Sequence, residues 1–190
     1  MKARSWKMMT ATQKKNKKLC ERYPFLIPTN CWSGKRITEG KGFWPGSPDS
    51  IPEYNYEYTE LDKMPEGWRI AFGEQMCEEI REELLKYNAL DEYRIVDIKE
   101  KFGSLRWYDG GAPANSNIYN IIHKYMRLSE RTCVKCGAPA TLWTMDWYSP
   151  WCDKCVPFGS NGAASPAIPI EEYFNEVTYF DEEDNNFYNR

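Results

Sequence analysis

Two pairs of cysteines limit the folds open to this chain. They read Cys133-Val-Lys-Cys136 and Cys152-Asp-Lys-Cys155, and 15 residues separate the pairs. Two intervening residues form a tight turn that aims both sulfur atoms of a pair at one ion, and four thiolates complete the tetrahedron that Zn²⁺ prefers. The spacing predicts a zinc ribbon over 131–157, with a hairpin that turns near Asp146 between the two pairs.

The alternative to metal binding is disulfide bonding. The chain has seven cysteines, an odd number, and its first 20 residues carry seven Lys or Arg without the apolar stretch of a secretory signal. Both observations favour a metal over two disulfides. A redox-active pair of cysteines is a further alternative, but two pairs at this distance are typical of a metal site. Four thiolates leave zinc no open position, so the expected zinc is structural and not catalytic.

The composition points to a folded protein. Among 190 residues there are 13 Tyr, 8 Trp and 8 Phe. Disordered chains contain few aromatic residues, so this number excludes disorder of the whole chain. No apolar stretch approaches the length of a membrane-spanning helix, so we expect no membrane partner and a location in the cytoplasm. The formal net charge is −3, but seven cations fall within 1–20, and seven acids oppose one arginine within 171–190.

Changes in composition divide the chain into five regions. A basic arm (1–19) precedes a segment rich in Pro, Gly and aromatic residues (20–60), whose rings we expect to anchor it to the core. An α+β core (61–130) and the predicted zinc ribbon (131–157) follow. The last region (158–190) joins a Pro/Gly linker to an acidic tail that contains aromatic residues.

Two helices are expected in the core. Apolar residues recur every four positions near 66–87, after the helix-start signal at Pro65, and they predict an amphipathic helix. A second apolar stripe predicts a helix near 116–128. The apolar face of the first helix consists of Phe72, Met76, Ile80 and Leu84, with Cys77 beside it as a small buried residue.

A hairpin is expected between the two helices. Strands are predicted near 93–100 and 104–109, with a turn at Gly103. Alternation places Val96, Ile98 and Phe102 on one apolar face of the hairpin. The expected fold class is therefore α+β: two helices packed on a small antiparallel sheet or hairpin, followed by a C-terminal four-cysteine zinc ribbon.

The predicted hairpin mixes cations with aromatic rings, the combination that binds phosphates and stacks on bases. The alternative is that Trp107 belongs to the core and the charged residues form a solvated face. The acidic net charge also argues against nucleic acid as a partner. The nucleic-acid-binding candidates are Lys99, Lys101, Arg106, Trp107 and Tyr108.

The acidic tail interleaves carboxylates with rings, a pattern suited to docking in a basic, partly apolar groove of a protein. Solubility, or pairing with the basic arm, is the alternative role. The protein-docking candidates are Tyr173, Phe174, Tyr179, Phe180, Glu182 and Glu183.

Groups suited to catalysis are few. His123 is the only histidine, and the glycine-rich phosphate-binding motifs do not occur. We therefore assign no catalytic residue. The enzyme alternative is a metal-dependent nuclease, in which Asp97 and Lys99 on one strand face would act with a second acid. The candidates for that acid are Glu79, Glu83 and Asp91.

Several strings between residues 20 and 155 occur in the same order in one family. They are Tyr23-Pro-Phe-Leu-Ile-Pro28, Tyr58-Thr-Glu-Leu-Asp62, Met64-Pro-Glu-Gly-Trp68, Lys99-Glu-Lys-Phe-Gly-Ser-Leu-Arg-Trp-Tyr108, Thr132-Cys-Val-Lys-Cys-Gly137 and Pro150-Trp-Cys-Asp-Lys-Cys155. On these strings the chain resembles a family of uncharacterised phage and prophage proteins. The resemblance implies a viral or prophage origin and the cytoplasm of a host cell, and it implies no activity.

The function expected from these observations is binding without catalysis. The chain is expected to be a zinc-stabilised protein that engages a host or viral protein, and inhibition of a host defence component is one such role. Nucleic-acid binding through the ribbon and the hairpin is the alternative.

Overall fold

Helices and small antiparallel sheets make up the structure, a computed structural model that describes residues 9–29, 54–157 and 165–175. The expected mixture of helices with small antiparallel strands is confirmed. None of the helices in these ranges is long and apolar enough to cross a membrane. The helices are α1 (Ala11–Arg22), α2 (Glu66–Trp68), α3 (Glu74–Lys86) and α4 (Ile118–Ser129), and the strands are β1 (Arg94–Lys101), β2 (Ser104–Gly110), β3 (Leu142–Thr144), β4 (Ser149–Trp151) and β5 (Ala167–Pro169).

The chain forms two compact units, each assembled from separate stretches of sequence. Unit 1 comprises Met1–Lys63, Cys77–Ile98 and Trp107–Ile118. Unit 2 comprises Met64–Met76, Lys99–Arg106 and Tyr119–Arg190.

Helix α1 lies partly in the region that sequence analysis treated as a basic arm. Its start is fixed by a capping box, in which the Thr10 side chain accepts from the backbone N–H of Gln13 and the Gln13 side chain accepts from the N–H of Thr10. These bonds satisfy two donors that a helix start leaves free. The helix buries Asn16 and Cys20.

The helix predicted over 66–87 is confirmed, with one irregularity. Helix α2 continues through a π-helical segment, Arg69–Gly73, into α3. The predicted apolar face is buried, and so is Cys77. Helix α4 matches the second predicted helix within two residues.

Strands β1 and β2 form the predicted hairpin, but its exposed residues differ from the expectation. Ile95 and Ile98 are buried, whereas Val96 and Phe102 are exposed. The alternation changes phase between Ile95 and Ile98, and Phe102 lies in the turn, where strand alternation does not apply. Phe102 (φ 52°) and Gly103 (φ 74°) both adopt the left-handed conformation.

The core of unit 1 contains rings from several segments. Phe25 packs edge-on against Tyr93, with ring centroids 5.4 Å apart. The Tyr93 hydroxyl accepts a 3.0 Å hydrogen bond from the indole N–H of Trp107. Phe25 belongs to the segment 20–60 that was expected to wrap the core, of which residues 30–53 lie outside the described ranges.

Unit 2 contains a three-stranded antiparallel sheet in the order β4-β3-β5. Trp143 is the central residue of β3, paired with Pro150 on one side and Ile168 on the other. Sequence analysis predicted the β3–β4 hairpin but placed β5 in a linker. Strand β5 completes the sheet, and Ile170 after it is buried with Trp143 in one apolar cluster.

Candidate functional site

The four predicted ligands come together in unit 2. The sulfur atoms of Cys133, Cys136, Cys152 and Cys155 all lie within 4.8 Å of one another. Within the described ranges this is the one group of three or more His, Cys, Asp or Glu side chains that could hold a metal ion. The sulfurs of Cys136 and Cys152 are 3.6 Å apart. Four sulfurs at about 2.3 Å from a central zinc would be about 3.8 Å apart, so the cluster fits a tetrahedral ion.

The first cysteine pair sits in a turn held by its own backbone. The Cys133 N–H donates to Ala138 O (2.8 Å), and the Gly137 N–H donates to Cys133 O (3.0 Å). Gly137 has a φ of 79°, a conformation that costs glycine little. The bonds fold the chain back after Cys136, so that both sulfurs of the pair face the same point.

The second pair follows β4 directly. The Cys155 N–H donates to Cys152 O at 2.9 Å, which closes the turn between the two ligands. The Val134 N–H donates to Pro150 O at 3.1 Å and joins the first cysteine turn to β4. Strand β4 therefore sets the position of the second pair relative to the first.

The start of α2 packs on the first cysteine turn. The Gly67 N–H donates to Val134 O at 2.9 Å, and the Trp68 indole N–H donates to Thr132 O at 2.8 Å. Trp68 is fully buried. This contact was not predicted from the sequence. The one local signal for it was Gly67 itself, because glycine is less favourable than alanine inside a helix and its presence there indicates close packing.

Hydrogen bonds and burial shift the pKa values of three of the four thiols in different directions. The backbone N–H of Ala138 lowers the pKa of Cys136 to about 7, and the neighbouring thiols add to the effect. The Cys155 thiol donates a hydrogen bond to the Cys136 sulfur, which raises the pKa of Cys155 to about 12. Burial raises the pKa of Cys152. A bound cation would stabilise all four thiolates, because metal ligation requires the deprotonated form.

A second feature of unit 2 is a group of exposed rings, which we call the aromatic tip surface: Phe102, Trp147 and Tyr148. Trp147 is 82% exposed and Phe102 is 65% exposed. The rings of Phe102 and Tyr148 have centroids 6.5 Å apart at 79°. Sequence analysis assigned Phe102 to a buried face and used Trp147 and Tyr148 only as strand residues.

The nucleic-acid-binding candidates, all on the β1–β2 hairpin, differ in their exposure. Trp107 is buried in unit 1 and does not present its ring to solvent. Tyr108 is exposed in unit 1. Lys99 and Lys101 are exposed on β1, while Arg106 is half-buried and donates to the Ser104 hydroxyl at 2.9 Å.

Two of the protein-docking candidates take part in internal packing. The Tyr173 ring stacks on Trp143 with centroids 4.1 Å apart at 12°, and the Phe174 ring packs edge-on against the same indole. Arg131 also lies over the Phe174 ring, 4.6 Å from its centroid. The other candidates, Tyr179, Phe180, Glu182 and Glu183, lie outside the described residues.

Two of the carboxylates considered for a nuclease, Glu83 and Asp97, can be described by their contacts and burial. Glu83 accepts from the Asn117 N–H and from Lys86 Nζ, both at 2.7 Å. Asp97 is half-buried on β1. Burial raises the pKa of Glu60 and the charge of Asp97 raises it further, whereas Lys63 lowers it. Glu60, which was not among the candidates, is thus a carboxylate whose pKa responds to the charge of Asp97.

Comparisons with protein-family models, with curated proteins and with solved structures found no match to this chain. The geometry of its own residues is therefore the basis for a function.

Proposed function

We propose that this chain is a non-enzymatic binding protein of phage or prophage origin that is stabilised by one structural zinc ion. The fold proposed for 131–157 is a zinc ribbon. Cys133, Cys136, Cys152 and Cys155 would hold the ion, and the packing of two helices on the β1–β2 hairpin stays a prediction. Zinc bound by four thiolates supplies structural cross-linking and no reactive position.

The observation that carries the proposed function is the aromatic tip surface. The exposed rings of Phe102 and Tyr148 are neighbours, and contiguous apolar patches mark sites where partners bind, whereas single exposed rings are ordinary. Trp and Tyr are also the residues that contribute most where macromolecules bind, because they bring a large contact area with few rotatable bonds. A small zinc-stabilised unit that presents such rings is suited to binding and does not need catalytic groups.

The resemblance to phage proteins adds an expectation about the setting. A viral protein of this kind would act in the cytoplasm of its host, against a host or viral macromolecule. Masking a protein partner, including a host defence component, is one such role, and the acidic tail stays the predicted docking element for it.

The test is retention of a macromolecule by the tagged, zinc-loaded full chain from bacterial lysate. The Phe102→Ala/Trp147→Ala variant is compared with Tyr119→Ala, which removes a ring that is 68% exposed on α4. We expect native chain and control to retain the same partner and the double variant to lose it. A zinc-loaded native chain that retains no partner would contradict the proposed function. A chain without residues 176–190 tests the tail separately.

A further inference from the structure

We propose that the aromatic tip surface is a binding site for single-stranded polynucleotide, DNA or RNA, whose bases stack on Trp147, Phe102 and Tyr148. This inference rests on the proposed function and names the class of partner. The site differs from the one expected from sequence, because Trp107 is buried and the rings come from two separate turns.

Tertiary packing brings the two turns together. Gly103 follows Phe102 in the hairpin turn, and a Cβ built on Gly103 would lie 2.8 Å from the backbone oxygen of Tyr148. The same Cβ would lie 2.4 Å from the ring of Trp143. The turn of β1–β2 is therefore packed against the β3–β4 hairpin, whose turn contains Trp147 and Tyr148, and this packing places the Phe102 ring beside the Tyr148 ring.

The backbone beneath the rings is held in place. The Thr144 hydroxyl donates to Trp147 O at 2.8 Å, and the Trp147 N–H donates to the Asp146 carboxylate at 2.8 Å. Phe102 has a φ of 52°, which is unusual for a bulky residue. Strained residues of this kind cluster at binding sites, where the surrounding structure maintains them. The Phe102 ring is 65% exposed and gains little from burial, which favours a role in binding.

The charges next to the rings suit a phosphate backbone. Lys101 Nζ lies 5.4 Å from the centroid of the Phe102 ring, and Lys99 is exposed on the same strand. Glu100 and Asp146 are acids of the same two turns, and each carboxylate accepts a hydrogen bond from a backbone N–H, of Gly103 and of Trp147. Both carboxylates are therefore engaged by the backbone of their own turns, while the Lys101 ammonium lies beside the Phe102 ring.

The kind of apolar surface also favours bases over a protein groove. In 99–106 and 142–151 the large exposed apolar side chains are the three rings and one aliphatic residue, Met145. Base stacking requires ring faces, and every base offers one, so such a surface binds single strands with little sequence preference. In a duplex those faces are already stacked and are not accessible to the rings.

The test is fluorescence anisotropy with labelled oligothymidylate and oligouridylate of about 20 nucleotides, a length that spans known single-strand sites. The probes are titrated with the zinc-loaded full chain at about 50 mM and about 200 mM salt. We expect saturable binding that weakens with salt and is weaker for a duplex of the same length. The two probes show whether DNA or RNA is preferred.

Variants assign the binding to the site. Phe102→Ala and Trp147→Ala are each expected to weaken binding about tenfold, and Trp147→Phe is expected to restore most of it. Lys101→Ala is expected to lower the slope of log affinity against log salt by about one. Tyr119→Ala and Lys124→Ala, on α4, are the matched controls and are expected to bind as the native chain does.

Two results would overturn the inference. One is that the folded, zinc-loaded native chain binds neither probe. The other is that Phe102→Ala and Trp147→Ala bind as tightly as the controls. If the rings are nevertheless required for retention of a protein from nuclease-treated lysate, the inference fails while the proposed function stands. If the native chain binds neither probe and also retains no macromolecule from lysate, both the inference and the proposed function fail.

Discussion

Gly67 lies against the backbone of Cys133, so closely that a Cβ atom built on Gly67 would be 2.1 Å from the Cys133 carbonyl oxygen. The same atom would lie 2.7 Å from the backbone nitrogen of Gly137. Both neighbours are backbone atoms of the first cysteine turn and have little freedom to move. The first turn of helix α2 and the candidate metal centre are therefore one packed structure.

Gly67→Ala is expected to destabilise unit 2 by about 3 kcal/mol and to weaken metal retention, because backbone must shift to admit the methyl group. In an open helix the same change would stabilise by about 1 kcal/mol, so the sign of the effect identifies the contact. Denaturant unfolding and zinc content measure it. Gly110→Ala is the control, since a Cβ there has no neighbour closer than 3.4 Å. Equal stability of the two variants would refute the close packing.

The four-cysteine cluster is expected to bind one zinc ion per chain. Replacement of any one ligand, for example Cys152→Ser, should reduce the zinc content of the variant, measured by mass spectrometry under native conditions. Cys20→Ser, outside the cluster, should leave it unchanged. Because zinc binds thiolates, its affinity should fall as pH falls, and chelation should lower the melting temperature. Full zinc content in Cys152→Ser would contradict the assignment of the ligands.

The aromatic stack between Tyr173 and Trp143 is expected to stabilise the three-stranded sheet. Trp143 is almost fully buried, and Tyr173 covers one face of its ring. Tyr173→Ala should cost about 2 kcal/mol in denaturant unfolding, and Tyr173→Phe should cost less than about 0.5 kcal/mol. If Tyr173→Ala is as stable as native protein and instead loses a protein partner, Tyr173 is a docking residue and not a packing residue.

Glu83 is expected to make stability depend on pH in the acid range. Lys86, and then the Asn117 N–H, hold the pKa of Glu83 below its ordinary value. The unfolded chain therefore takes up a proton here at a higher pH than the folded chain does. The stabilisation is present above about pH 4.3, the ordinary pKa of Glu, and is lost as pH falls through the folded pKa.

Melting temperatures of Glu83→Gln and native protein measure this dependence across the acid range. The variant should melt lower at neutral pH, and the difference should narrow as pH falls. Glu82→Gln, which changes an exposed acid on the same helix, should follow the native curve. A difference that is constant with pH would show that the Glu83 carboxylate acts through its shape and not through its charge.

Features set by short stretches of sequence could be predicted. The spacing of the cysteines predicted which four of them form the cluster. Apolar residues that recur every four positions predicted the helix over 66–87. The capping box at Thr10 and Gln13 was equally local, but α1 was missed because lysines dominate its sequence. Strand β5 was missed because it is three residues long and ends in Pro169, so only its pairing with β3 defines it.

Features set by distant residues could not be predicted. The contact of Gly67 with Cys133 joins a helix start to a turn that is far along the chain, and no local pattern reports it. The aromatic tip surface likewise depends on the seating of Gly103 on Trp143. Phe102 was assigned to a buried face because alternation was extended one residue past the strand, into a turn where the backbone redirects the side chain.

That turn gives the last prediction. Two consecutive left-handed residues form the hairpin turn that Asn-Gly favours, and the chain has Phe102-Gly103 instead. Phe102→Asn should relieve the strain and raise the free energy of unfolding by about 0.5–1 kcal/mol. It should also weaken polynucleotide binding about tenfold, because it removes a stacking ring. Phe102→Ala is the matched control, since it removes the ring without relieving the backbone.

Denaturant unfolding and anisotropy on the same preparations separate the two effects. A gain in stability together with a loss of binding for Phe102→Asn would mean that the chain keeps a strained phenylalanine for what the ring binds. A loss of stability in both variants would mean that the ring stabilises the fold through Tyr148 and Lys101, its neighbours at the surface. In that case the strain would not indicate a binding site, and the case for Phe102 in polynucleotide binding would rest on the anisotropy of Phe102→Ala alone.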